Sequence, residues 1–92
     1  MRIQLNKPYK IVDLRQKRYE THYNIPSSES LVVPTKYLGD EVLCDVRWES
    51  DSGERNVLHK KMFSTENLVP LNPLADEKLY YLWADFYKDL SN

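Results

Sequence analysis

Two groups of side chains in this chain could do binding chemistry, and a third could be mistaken for catalytic. The first group is basic: Lys7, Lys10, Arg15, Lys17 and Arg18 are interleaved with Tyr9, Tyr19 and Tyr23. Cations neutralise phosphates while aromatic rings stack on bases, so Lys7, Lys10, Arg15, Lys17, Arg18 and Tyr19 suit a nucleic-acid contact. The same charges also suit a protein-facing patch, or the solvent face of a first strand. The second group is aromatic: Tyr80, Trp83 and Tyr87 recur at helical spacing, and Trp and Tyr are favoured interface anchors. The third comprises Cys44, His22 and His59. No metal-ligand spacing links them, and a Cys44–His59 pair across a hairpin lacks an orienting third group. No glycine-rich phosphate loop exists, since Gly39 and Gly53 are both used by turns. The expectation is a non-enzyme with no catalytic residues, no cofactor and no metal.

The elements that must position these groups are legible along the chain. Val42, Cys44, Val46 and Trp48 alternate with Leu43, Asp45, Arg47 and Glu49, the period of a half-buried strand. Ser50-Asp51-Ser52-Gly53 breaks the run with turn residues, and Val57 to Phe63 resumes an extended pattern. Ser64 to Asn67 reads as a single helical turn before a short strand, Leu68 to Leu71. Upstream, Tyr9 and Ile11, then Val12 and Leu14, suggest a first strand after Pro8. Residues 15–30 read as a long loop. Leu31-Val32-Val33 forms a second strand that Pro34 stops or bends, and Tyr37-Leu38-Gly39-Asp40 turns the chain into the next.

This order resembles the SH3-like small barrels, the group that includes Tudor and KOW modules. The resemblance is carried by Gly39 to Trp48, by the Asp51-Ser52-Gly53 turn, and by the ending Glu66-Asn67-Leu68-Val69-Pro70-Leu71. It covers about residues 8–71 and implies a mainly β fold, a five-stranded small barrel, followed here by a C-terminal amphipathic helix. A superfold of this kind assigns no function. It does imply a place where Tudor-like barrels carry an aromatic cage for methylated cations, near Tyr37, Trp48 and Phe63. Glu49 or Asp51 fits the acidic cage member loosely, and Trp48, in phase with Val42 and Val46, is assigned to the core.

The tail is helical by every local rule. Asn72 is a good N-cap and Pro73 a good first residue, with Asp76 and Glu77 near the positive end of the helix dipole. Leu79, Leu82, Trp83, Phe86 and Leu90 share one face, Tyr80 and Tyr87 flank it, and Glu77, Lys78, Asp85 and Lys88 lie opposite. This apolar sector exceeds the roughly 100° that one-sided packing needs. Two uses follow: the helix caps an open end of the barrel, or its aromatic flank buries against another chain. A membrane-surface role is disfavoured, because the polar face carries Asp and Glu rather than a Lys/Arg excess.

Composition bounds the rest. Ninety-two residues suit one domain, 1–92, with the barrel at 8–71 and the helix at 72–90. A core this small leaves a thin stability margin, and one cysteine excludes an internal disulfide. Cys44 is expected to act as a small buried hydrophobe. A lone cysteine, no export signal and no long apolar run point to the cytoplasm. The net charge of −1 conceals an uneven spread, six Lys/Arg against two Asp/Glu in residues 1–20. The resulting expectation is a protein-binding module, an adaptor, inhibitor or small accessory factor of the bacterial or phage kind. It would use Tyr80, Trp83 and Tyr87 with Arg15, Lys17 and Arg18. The alternative is a nucleic-acid-binding barrel using the basic head, and a third reading is a homodimer through the C-terminal helix.

Overall fold

The alternating run at the centre of the chain forms the middle of an antiparallel sheet. In the computed structural model, which describes residues 3–11 and 30–91 with side chains through 86, the strands are β1 (Tyr9–Ile11), β2 (Leu31–Leu38), β3 (Glu41–Glu49), β4 (Arg55–Ser64) and β5 (Leu68–Pro70). A 3-10 turn, Thr65–Asn67, joins β4 to β5, and the chain ends in the helix α1 (Glu77–Ser91). Among the described residues the protein is thus mainly β, with five antiparallel strands and a C-terminal helix. The strand order is β4-β3-β2-β1-β5.

The sheet is open rather than a closed barrel. Among the described residues its ladder ends at β4 on one side and at β5 on the other. β5 spends its three residues on β1, pairing Leu68 with Ile11 and Pro70 with Tyr9. So short a strand, ending in a proline that has no amide hydrogen, offers little to a closing partner. Closure is achieved by side chains instead. Tyr9, Ile11, Val32, Val42, Cys44, Val46, Phe63 and Leu68, drawn from all five strands, share one buried cluster with Ile3. A single cluster fed by five strands requires the sheet to curl around it. Trp48 and Leu58 pack on its border.

β3 follows its sequence pattern: Val42, Cys44 and Val46 are fully buried, while Leu43, Asp45 and Arg47 are half-buried on the other face. The turns use glycine where the backbone demands it. Gly39 (φ +63°) opens the two-residue turn between Leu38 and Glu41, and Gly53 (φ +86°) sits in the turn closed by the Gly53 amide on the Ser50 carbonyl at 2.9 Å. Both conformations are strained for residues with a Cβ.

Two strands depart from simple expectation. β2 does not stop at Pro34; it runs on to Leu38, with a bulge between Pro34 and Lys36 that absorbs the missing donor. The carbonyl of Pro34 accepts the Asn6 amide at 2.7 Å, which ties the N-terminal segment to β2 and helps place Ile3 in the core. β4 contains a phase slip. Leu58 and Phe63 both reach the inner cluster although they lie an odd number of residues apart, which no regular strand allows. The register breaks between Cys44, opposite Lys61, and Val46, opposite Leu58. Lys60 absorbs the extra residue with φ +57°, and His59 and Lys60 are both exposed.

Leu31 and Val33 stand out of phase with Val32, so β2 needs cover on its second face. α1 supplies it: Leu31, Val33 and Leu71 form a second cluster with Leu79 and Leu82 of the helix, flanked by Tyr80 and Trp83. The helix therefore lies on the outer face of the sheet rather than across an end of a barrel. Its N-terminus is capped as the residue types suggest. Asn72 Oδ1 accepts the amides of Leu74 (2.8 Å) and Ala75 (3.1 Å), and Asp76 Oδ2 accepts the Asn72 amide at 2.8 Å. Residues 73–76 form a turn, so the regular helix begins at Glu77, five residues after the cap. Full burial of a leucine contributes about 1.5–3 kcal/mol, so Leu79 and Leu82 dominate the seat.

Candidate functional site

The outer rim of α1 gathers the side chains best suited to recognition. Leu79 and Leu82 face the sheet, which leaves Tyr80, Trp83 and Phe86 half-buried along the border and Tyr81 66% exposed. The Arg47 guanidinium, carried on the outward phase of β3, sits 3.9 Å from the centroid of the Phe86 ring. A cation so placed is drawn to the negative face of the ring. Trp83 and Phe86 lie 6.4 Å apart with their planes tilted by 36°, within the range of favourable aromatic pairs. Arg47, Phe86 and Trp83 thus form a continuous aromatic and cationic surface.

Ion pairs fasten the helix on both flanks. Arg55 Nη2 meets Asp85 Oδ2 at 2.5 Å, and Arg55 Nε lies 3.5 Å from Glu49 Oε2. The hydrogen bond with Asp85, first among its causes, raises the affinity of Arg55 for its proton. At the other end, Lys10 Nζ lies 2.8 Å from Asp76 Oδ1. The Lys10 hydrogen bond chiefly, then that from the Asn72 amide, holds the Asp76 carboxyl below its ordinary value. Two grooves follow these flanks. One, of about 140 Å³, is bounded by Glu49, Arg55 and Lys78 over Leu79, Leu82 and Tyr81. The other, of about 260 Å³, lies between Gln4, Lys7, Pro8 and Tyr9 and the residues Pro70, Leu71 and Tyr80.

The residues singled out from sequence separate accordingly. Tyr80 and Lys7, taken from two different readings, meet in the larger groove. Trp83 joins Phe86 and Arg47. Lys10 is engaged by Asp76. The side chain of Tyr87, and all of Arg15, Lys17, Arg18, Tyr19, His22 and Tyr23, lie outside the described residues. The first strand is described only to Ile11, so Val12 and Leu14 fall outside as well.

The cage residues do not converge on solvent. Phe63 is fully buried, Trp48 packs on the inner cluster, and the Tyr37 hydroxyl donates to the carbonyl of Ile3. Cys44 is buried, and burial pushes its thiol well above the ordinary value. His59 Nδ1 lies 2.9 Å from Asp45 Oδ1 on the exposed side of the bulge, away from Cys44. Among the described residues no group of three or more His, Cys, Asp or Glu is placed to hold a metal ion. None of their helices is long and apolar enough to cross a membrane.

Sequence reasoning missed Arg47, Tyr81 and both grooves. The outward phase of Arg47 was readable, but its meeting with Phe86 depends on where α1 lands. No protein-family model, no curated protein and no solved structure matches the chain.

Proposed function

We propose that this protein is a non-enzymatic protein-binding module whose contact surface is the rim of α1. The observation that carries this reading is the aromatic exposure left after the helix has docked: Tyr81 is 66% exposed, Tyr80 and Trp83 stay half-exposed, and so does Phe86 under the Arg47 guanidinium. Aromatic residues and arginine dominate interface energies because they bury large area at little entropic cost. The sheet acts as the frame. Its order β5-β1-β2-β3-β4 and the 3-10 turn before β5 support the SH3-like reading of that frame.

The basic head supports the nucleic-acid alternative less well. Lys10 is already neutralised by Asp76 at 2.8 Å, which leaves exposed Lys7 as the unengaged cation of the two among the described residues.

The test is affinity capture from lysate, with and without nuclease, using the wild type, Tyr81→Ser and Trp83→Ala. Retention of a protein partner by the wild type through nuclease, and its loss with Tyr81→Ser, supports the module. Tyr81 is exposed enough that its replacement leaves the fold intact, which circular dichroism checks. Loss of all partners with nuclease, together with oligonucleotide binding that weakens steeply with salt, transfers the function to the basic head. Sedimentation across concentrations separates both from self-association through the helix.

A further inference from the structure

The larger of the two grooves beside α1 has a recognition chemistry of its own. Its inner lining is apolar: Tyr9 and Leu71 are buried, and Pro8 and Pro70 stand beside them. Gln4, Lys7 and Tyr80 complete the lining with polar ends. Among the described residues Lys7 is exposed without an ion pair, and the Gln4 carboxamide and Tyr80 hydroxyl have no hydrogen-bond partner. No carboxylate lines the groove, so its one charge is positive. Asp76, at the same end of the helix, is spent on Lys10 at 2.8 Å.

The turn before Lys7 fixes where that charge is presented. Asn6 takes a left-handed conformation, φ +60°, which asparagine tolerates better than most residues. Its amide donates to the Pro34 carbonyl at 2.7 Å, so the cation stands on an anchored turn. Anchoring lowers the ordering cost of binding. Backbone donors are scarce by contrast. Pro8 and Pro70 have none, and the amides of Gln4, Leu71 and Tyr80 go to the Tyr9 hydroxyl (2.9 Å), the Pro8 carbonyl (3.5 Å) and the Asp76 carbonyl (3.0 Å). A free chain end, whose carboxylate is held by clustered backbone amides, is therefore a poor occupant. At about 260 Å³ the groove is also smaller than the roughly 300–1,000 Å³ of small-molecule sites. It suits one apolar side chain and one carboxylate.

We propose that this groove receives an apolar residue, and an Asp or Glu two places from it, from an extended internal segment of a partner protein. Extended chains turn such residues to the same side. The apolar side chain packs on Tyr9, Leu71 and the proline rings, while the carboxylate accepts from the Lys7 ammonium and the Tyr80 hydroxyl. The inference rests on the protein-binding reading and names the partner chemistry that reading leaves open. Tyr80 belongs to both surfaces, whereas Tyr81 does not line the groove.

The experiment titrates the ¹⁵N-labelled full chain with the blocked peptide serine-leucine-serine-glutamate-serine. Expected at millimolar peptide are saturable amide shifts centred on Gln4, Lys7, Tyr9, Leu71 and Tyr80. Lys7→Gln is expected to weaken binding about two- to fivefold, the range for losing one exposed ion pair. Lys7 is exposed, so this variant keeps the fold, which the rest of its amide spectrum checks. Glutamine in place of the peptide's glutamate should cost the same factor against the wild type and almost nothing further against Lys7→Gln. Independent losses in that cycle, no shift at millimolar peptide, or shifts confined to residues 81–86 would each overturn the proposal. Tighter binding of a peptide ending in leucine with a free carboxyl group would overturn it by assigning the groove to a chain end. Concentration-dependent shifts at these residues without peptide would overturn it by assigning the groove to a second copy. A partner captured by the wild type and lost with Tyr81→Ser, but no peptide shift, ends this proposal and leaves the helix-rim reading standing. A peptide response coupled to Lys7, with no captured protein, does the reverse.

Discussion

Replacing Lys60 with glycine tests the phase slip on which the β4 architecture depends. Lys60 is held at φ +57°, where a residue with a Cβ is crowded against its own carbonyl. That region costs a non-glycine residue about 1–2 kcal/mol. Glycine removes the crowding but gives the unfolded chain more freedom, at a cost of about 0.5–1 kcal/mol relative to alanine. The difference predicts that Lys60→Gly stabilises the domain by about 0.5–1 kcal/mol. A domain of this size should then melt about 2–8 °C higher. Lys60→Ala is the control, since it removes the same charge and side chain but keeps the Cβ. Urea unfolding followed by tryptophan fluorescence is the assay. The two tryptophans report separately, Trp48 beside the inner cluster and Trp83 beside the helix seat. If the glycine variant is no more stable than the alanine variant, Lys60 does not carry the extra residue, and the account of how Leu58 and Phe63 share one core is wrong.

Other expectations follow from the same contacts. Cys44 should resist thiol reagents in the native state and react at the rate of global unfolding, because it is fully buried with its thiol proton held tightly; fast native-state labelling would contradict this. Asp76 titrates below its unfolded value of about 3.8, so its contribution to stability is fully present above that value and is lost as pH falls through the lower folded one. Acid titrations of wild type and Asp76→Asn should therefore differ most above the unfolded value and converge once the pH has fallen below the folded one; a gap that widens in acid would reverse the assignment. Leu82→Ala should cost about 2–3 kcal/mol, the lower part of the range for buried leucine because the helix seat is small and at the surface. The loss should appear in Trp83 fluorescence before Trp48, and a change confined to Trp48 would contradict the two-cluster core.

Much of the frame can be read from local chemistry. The alternation from Val42 to Trp48, the Gly39 and Gly53 turns, the single turn at 65–67, the Asn72 cap and the Leu79–Leu82 face all depend on neighbours in sequence. What escapes such reading depends on neighbours in space. The slip at Lys60 exists because Leu58 and Phe63 must enter one cluster, and nothing within β4 says which of its apolar residues the core accepts. Pro34 looks like a terminator until its bulge and its carbonyl bond to Asn6 are seen. The barrel expected from strand order stays open because β5 is too short to close it. The helix rim is the clearest case. Trp83 and Tyr80 were legible as anchors from spacing, whereas Arg47 and Tyr81 gain meaning only once α1 is seated on the outer face of β2.

β2 separates two interiors. Val32 belongs to the cluster inside the curled sheet, while Leu31 and Val33 belong to the one beneath the helix. A strand with one wet face tolerates substitution at every second position, and β3 and β4 should show that rhythm, with β4 changing beat at Lys60. β2 has no wet face over these three residues, so its tolerance should show no rhythm: a polar residue at 31, 32 or 33 spoils one compartment or the other. The strand that carries none of the recognition side chains is thus the one least free to drift, and the adaptable surface of the protein rests on its least adaptable wall.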